Sequence, residues 1–157
     1  MAHAAFLPPR IGRAFTGPAW HGDAIAELLA DVTAEEAAAR PFDDVHTIAE
    51  LVGHIGAWAE IAEQRLRVAV TPSESDVWPD VDTRNEKTWA DAVADSLAKH
   101  HALMHAAAEL DESSLAATVP GKSHDRATML HGIVEHDAYH GGQIAMLKKV
   151  IRSRKRD

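Results

Sequence analysis

The stretch Met129-Leu-His-Gly-Ile133-Val-Glu-His136-Asp-Ala-Tyr-His140-Gly-Gly-Gln-Ile144-Ala-Met-Leu147 decides the fold. Placed on a helix at about 100° per residue, Met129, Ile133, Ile144, Leu147 and Ile151 all fall within about 40° of a line through His140. His136 lies about 40° to one side of that line. The segment is therefore an amphipathic helix with two imidazoles at the centre of its apolar stripe. Two histidines one turn apart aim their rings at a common point, which is the geometry a metal chelate needs. Two unpartnered imidazoles in a core would each be costly. His131 comes out on the opposite face.

Working outward, Asp125 is a plausible N-cap for this last helix. Thr47-Ile-Ala-Glu50 is a capping box that opens a helix running to about Val70, with Ile48, Leu51, Val52, Ile55, Ala59, Ala62 and Leu66 as its stripe. His54 lies about 60° from Leu51, on the side of Trp58 and Ile61, inside the apolar arc and able to face His136 and His140. Thr83-Arg-Asn-Glu86 opens a third helix carrying Trp89, Val93, Leu97, Met104 and Ala108. Gly17-Pro18 reads as the start of the first long helix, with Ile25, Leu28, Leu29 and Val32 at helical spacing. Thr33-Ala-Glu-Glu36 begins a short helix closed by Arg40-Pro41.

Four long amphipathic helices bury four stripes most simply as an all-α four-helix bundle. Composition agrees: 46% of the 157 residues are hydrophobic but only 5% aromatic, and alanine supplies much of the apolar count. The length suits one domain, 1–157, with its core at roughly 15–150, a short N-terminal arm and a basic C-terminal tail. All three connections look longer than a tight αα turn, so loop length leaves the topology open.

Eleven histidines are many for this chain. His101 and His105 form a second pair with the same spacing, toward the edge of the third helix's stripe. His3, His21, His46, His100 and His124 read as loop or surface residues.

Six of the 16 Lys and Arg residues lie in 148–157, so the rest is more acidic than the net charge of −8. An acidic body argues against nucleic acid as partner, because that affinity rests on cations neutralising phosphates. The basic tail suits a helix C-terminus, or an acidic partner. The absence of cysteine rules out disulfides and thiolate ligands. Residues 1–20 lack the apolar region of a signal peptide and no later run is long enough to span a bilayer, so the expectation is a cytoplasmic protein without membrane contact.

The phrase His136-Asp-Ala-Tyr-His-Gly-Gly-Gln-Ile144 resembles the C-terminal signature of the DinB/YfiT-like family, roughly H-x-x-Y-H-x-G-Q-I. His46-Thr-Ile-Ala-Glu-Leu-Val-Gly-His54, followed by Trp58, is similar to that family's second-helix motif. Gly17-Pro-Ala-Trp20-His-Gly22, Pro41 and Trp89 extend the likeness over roughly residues 15–150. His46-Thr47 stands where a subgroup has His-Ser, which keeps a hydroxyl N-cap. The resemblance implies an up-down-down-up four-helix bundle, often a homodimer, with a metal triad at His54, His136 and His140. It also implies a metal-dependent hydrolase or a transferase using low-molecular-weight thiols.

Three neutral imidazoles leave a tetrahedral ion one open position, and all-nitrogen ligands suit zinc or nickel alike. The expected function is that of a divalent-metal enzyme acting on a small-molecule substrate, a thiol among the options. The alternative is a non-catalytic metal- or small-ligand-binding bundle. Glu50, one turn before His54, reads either as the capping-box partner of Thr47 or as a second-shell partner or base. Asp137 can orient a ligand imidazole or sit in solvent. Tyr139 and Gln143 can line a pocket or simply pack.

Overall fold

The computed structural model of the chain describes residues 3–155 and is all-α. Four long helices carry it: α1 (His3–Thr16), α4 (Ile48–Arg65), α6 (Glu86–Ala108) and α8 (Arg126–Arg154). Between them lie short helices α2 (Ile25–Leu29), α3 (Ala34–Ala38), α5 (Glu74–Val77) and α7 (Glu112–Ala116). No strand occurs among the described residues, only isolated bridges between Ala19 and Gly22 and between Thr118 and Asp125. No described helix is long and apolar enough to cross a membrane.

Side chains set the helix starts. Thr47 Oγ1 accepts from the Glu50 N–H at 3.1 Å while Glu50 Oε2 accepts from the Thr47 N–H at 2.8 Å, closing the expected box at the head of α4. Asp125 Oδ1 caps α8 by accepting from the Thr128 N–H at 2.7 Å. On α6 the cap is Asn85 rather than Thr83, with Oδ1 accepting from the Thr88 N–H at 3.0 Å. Each such cap contributes about 1 kcal/mol.

The first long helix lies earlier than the sequence suggests. Residues read as an N-terminal arm form α1, with Pro8 and Pro9 inside it. A proline there removes a hydrogen bond and costs about 3 kcal/mol. Against that, Leu7, Ile11 and Phe15 are wholly buried, each contributing about 1.5–3 kcal/mol. Gly17, at φ +86°, then ends the helix in the left-handed region. The stripe Ile25, Leu28, Leu29, Val32 is buried as its spacing requires, but α2 is only five residues long and Val32 lies beyond it.

α4 and α1 each pack against both α6 and α8. Two apolar clusters fill the space between them. One joins Phe15 at the end of α1, Ile48 to Ile55 at the head of α4, Trp89 at the head of α6 and Ile144 to Ile151 near the end of α8. The other joins Leu7 and Ile11, Ala59 to Leu66, Leu103 and Ala107, and Met129 to Ile133. The basic end of α8 finds its acidic partner within the chain. Arg152 pairs with Glu36 at 3.0 Å and Asp31 at 2.9 Å, and Lys155 with Glu35 at 3.1 Å. Hydrogen bonds from Arg152 and Lys148 hold the Asp31 carboxyl down at about 2.

Candidate metal centre

α8 presents His136 and His140 one turn apart, and α4 presents His54 opposite them. Ligand-capable nitrogens of the three lie within 4.8 Å of one another, so the cluster could hold a metal ion. His54 and His140 are buried and His136 is partly so.

Hydrogen bonds fix which nitrogens face inward. His54 Nδ1 stands 2.6 Å from the Val77 carbonyl oxygen. A carbonyl only accepts, so Nδ1 carries the proton and Nε2 the free lone pair. His140 Nδ1 likewise donates to Gln143 Oε1 at 2.6 Å. Nε2 of His54 then lies 3.1 Å from Nε2 of His136. Bonds of about 2.0–2.1 Å to a tetrahedral ion place neighbouring nitrogens about 3.3 Å apart, so this spacing fits. The electrostatics fit as well. Burial, helped by the neighbouring imidazoles and only partly opposed by the Val77 hydrogen bond, holds the His54 imidazole down at about 4. Burial lowers His140 too. Both therefore stay neutral donors at physiological pH.

Behind His136 lies a carboxylate that the sequence left between two roles. Asp137 is buried, with Oδ1 3.9 Å from His136 Nδ1 and Oδ2 3.3 Å from His100 Nε2. Burial alone would raise its carboxyl, but the bonds to His100 and His136 outweigh it and the net direction is down. His136 Nδ1 and Asp137 Oδ2 are both buried without a good hydrogen bond. The approach of Asp137 Oδ1 to His136 Nδ1 places the carboxylate behind the ring, as in the carboxylate–histidine arrangement common behind metal ligands.

Glu50 takes its capping role. Besides the Thr47 box it pairs with Arg40 and lies 3.3 Å from His46 Nδ1. Its partial burial is outweighed by the Thr47 N–H and Arg40, which keep the carboxyl below its usual range. Gln143 lines the site, as it orients His140, and its Nε2 donates to the exposed Tyr139 Oη at 3.4 Å. His101 and His105 are exposed and stand apart from the triad.

Two residues were not anticipated. His100, expected on the surface, is 1% exposed, and its Nδ1 donates to the Ser96 carbonyl at 2.8 Å. Its place was legible in the spacing Trp89, Ser96, His100, Leu103, Ala107, the buried seam of α6. Trp78 stacks on His54 at 3.8 Å between ring centroids, with His46 stacked on its far side at 3.7 Å. No helical period marks that loop residue.

Compared with known protein families, the chain matches the model of the DinB superfamily over residues 19–144. No curated protein and no solved structure matches it.

Proposed function

The chain belongs to the DinB superfamily, and on that premise we propose that it binds one divalent ion, zinc or nickel, through His54, His136 and His140 and acts as a metal-dependent hydrolase or low-molecular-weight-thiol transferase. The observation that carries this reading is the fixed tautomer of two converging imidazoles, His54 on Val77 and His140 on Gln143. Such a site holds its ligand atoms ready before any ion arrives. When bound, the ion would supply Lewis acidity to a water, an ester oxygen or a thiol. The protein's own part is to orient the imidazoles, and to screen one side of His54 with Trp78.

The architecture we propose is the up-down-down-up four-helix bundle, as one domain. Its support is the sharing of clusters: the end of α1, the heads of α4 and α6 and the end of α8 meet in one, and their opposite ends in the other. A cytoplasmic homodimer working on a small-molecule substrate completes the proposal.

One observation favours the non-catalytic alternative. Glu50 is committed to its cap and to Arg40, and Asp137 stands behind His136, so neither serves directly as a base. Metal analysis of untagged protein tests the centre itself. One ion per chain is expected, with a melting temperature lowered by chelation. Equal metal in wild type and His136→Ala/His140→Ala would refute it. Turnover in a panel of thiols and hydrolysable esters then separates enzyme from binding module.

A further inference from the structure

A cavity of about 440 Å³ opens beside the triad, in the size range of small-molecule sites. Leu51 and Leu147 form its buried floor, and Phe42, Val45, Met146 and Val150 its sides. Its place follows from helix geometry. On α8, His136, His140, Gln143, Leu147 and Val150 succeed one another at intervals of three and four, so they share one face. On α4, Leu51 lies one turn from His54. The face that begins in imidazoles thus continues into an apolar trough.

Two polar residues join trough and triad. Gln143 lines the cavity and also accepts from His140 Nδ1 at 2.6 Å. His46 lines it as well, and stacks on Trp78, which stacks on His54. Asp44 is the one charged residue among its lining residues, and the Arg154 guanidinium is engaged over the Phe42 ring, 4.8 Å from its centroid. Phe42, Val45 and Met146 stay exposed, which a side wall awaiting a ligand explains and a finished core does not.

We propose that the trough formed by α4, α8 and the Phe42–His46 segment binds the uncharged hydrocarbon part of a substrate whose polar head reaches the three-histidine centre. The inference rests on the metal reading above and names the substrate class for it. Continuity with the triad favours this occupant over a second copy of the chain.

The test uses cobalt-loaded protein and a series of n-alkyl hydroxamates from acetohydroxamate to decanohydroxamate, with binding followed in the visible spectrum. Affinity should rise by up to about fourfold per added methylene while the chain lies in the trough. Met146→Glu and Val150→Lys, which change side chains outside the buried core, should flatten that rise and leave acetohydroxamate affinity unchanged. An acetohydroxamate response that does not grow with chain length, or a rise that both variants retain, overturns this inference alone. A flat series accompanied by a loss of dimer mass in the same variants would assign the trough to a second copy, and overturns it too. Failure to take up cobalt, or silence toward acetohydroxamate, removes the metal reading and this one with it.

Discussion

Asp137 and His100 meet wholly inside the protein, Oδ2 to Nε2 at 3.3 Å with side-chain exposures of 0% and 1%. Both nitrogens of His100 face acceptors, Ser96 oxygen on one side and the carboxylate on the other. Removing one partner of a buried pair strands the other, at a cost of about 3–5 kcal/mol. His100→Leu should lose about that much stability in urea unfolding, and the double variant His100→Leu/Asp137→Leu less than the sum of the single losses. Asp137→Asn should in addition weaken metal binding by about 10–100-fold in a chelator competition. A His100→Leu variant within 1 kcal/mol of wild type would show the pair to be incidental.

Stability of the metal-free protein should fall as pH falls from about 6.5 toward about 4. The His54 imidazole sits at about 4 in the fold against its ordinary 6.5, so the unfolded chain takes up a proton that the folded one refuses. The His54 contribution is thus present above 6.5 and lost as pH falls below it. Thermal melts across this range should show a steeper slope for wild type than for His54→Gln. Parallel slopes would mean that the buried imidazole is not what titrates.

Replacement of His101 and His105 by alanine should leave metal content unchanged. Both are exposed on α6 and outside the triad, although they repeat the spacing of His136 and His140. Loss of the ion in these variants would place the centre elsewhere.

A cobalt-substituted sample should change its visible spectrum on titration with azide, imidazole or a thiol. Three histidines leave one position to an exchangeable ligand. Glu50→Gln should leave that spectrum unaltered, because Glu50 is held in the cap of α4 and by Arg40. A spectrum deaf to every added ligand yet altered in Glu50→Gln would mean that Glu50 closes the shell, and would put the binding module ahead of the enzyme.

Periodicity found what depends on periodicity. The stripe of α8 delivered His136 and His140, and the arc of α4 delivered His54, because a polar side chain at the centre of an apolar face is visible without coordinates. The Thr47 box and the Asp125 cap were legible for the same local reason. α1 was hidden by Pro8 and Pro9, whose local penalty is overruled only by the burial of Leu7, Ile11 and Phe15, a tertiary effect. His100 lies on the seam of Trp89, Ser96, Leu103 and Ala107, but its neighbours on that seam include a polar Ser96, so the stripe is weaker there than on α8. The trough combines Phe42 and Val45 with Met146 and Val150, residues about a hundred positions apart that no local pattern connects.

The hydrogen bond from His54 to the Val77 oxygen anchors an imidazole to main chain instead of to a side chain. A side-chain acceptor vanishes with one substitution; a peptide carbonyl survives them all. It is withdrawn only if the α5 segment lifts away. Tolerance at this spot is therefore inverted: residue 77 is free to drift in identity, whereas an insertion or deletion in the 66–85 connection would disarm the ligand. Linkage also makes the dependence mutual, so an ion at the three imidazoles would pin that connection down as firmly as the connection holds the ring.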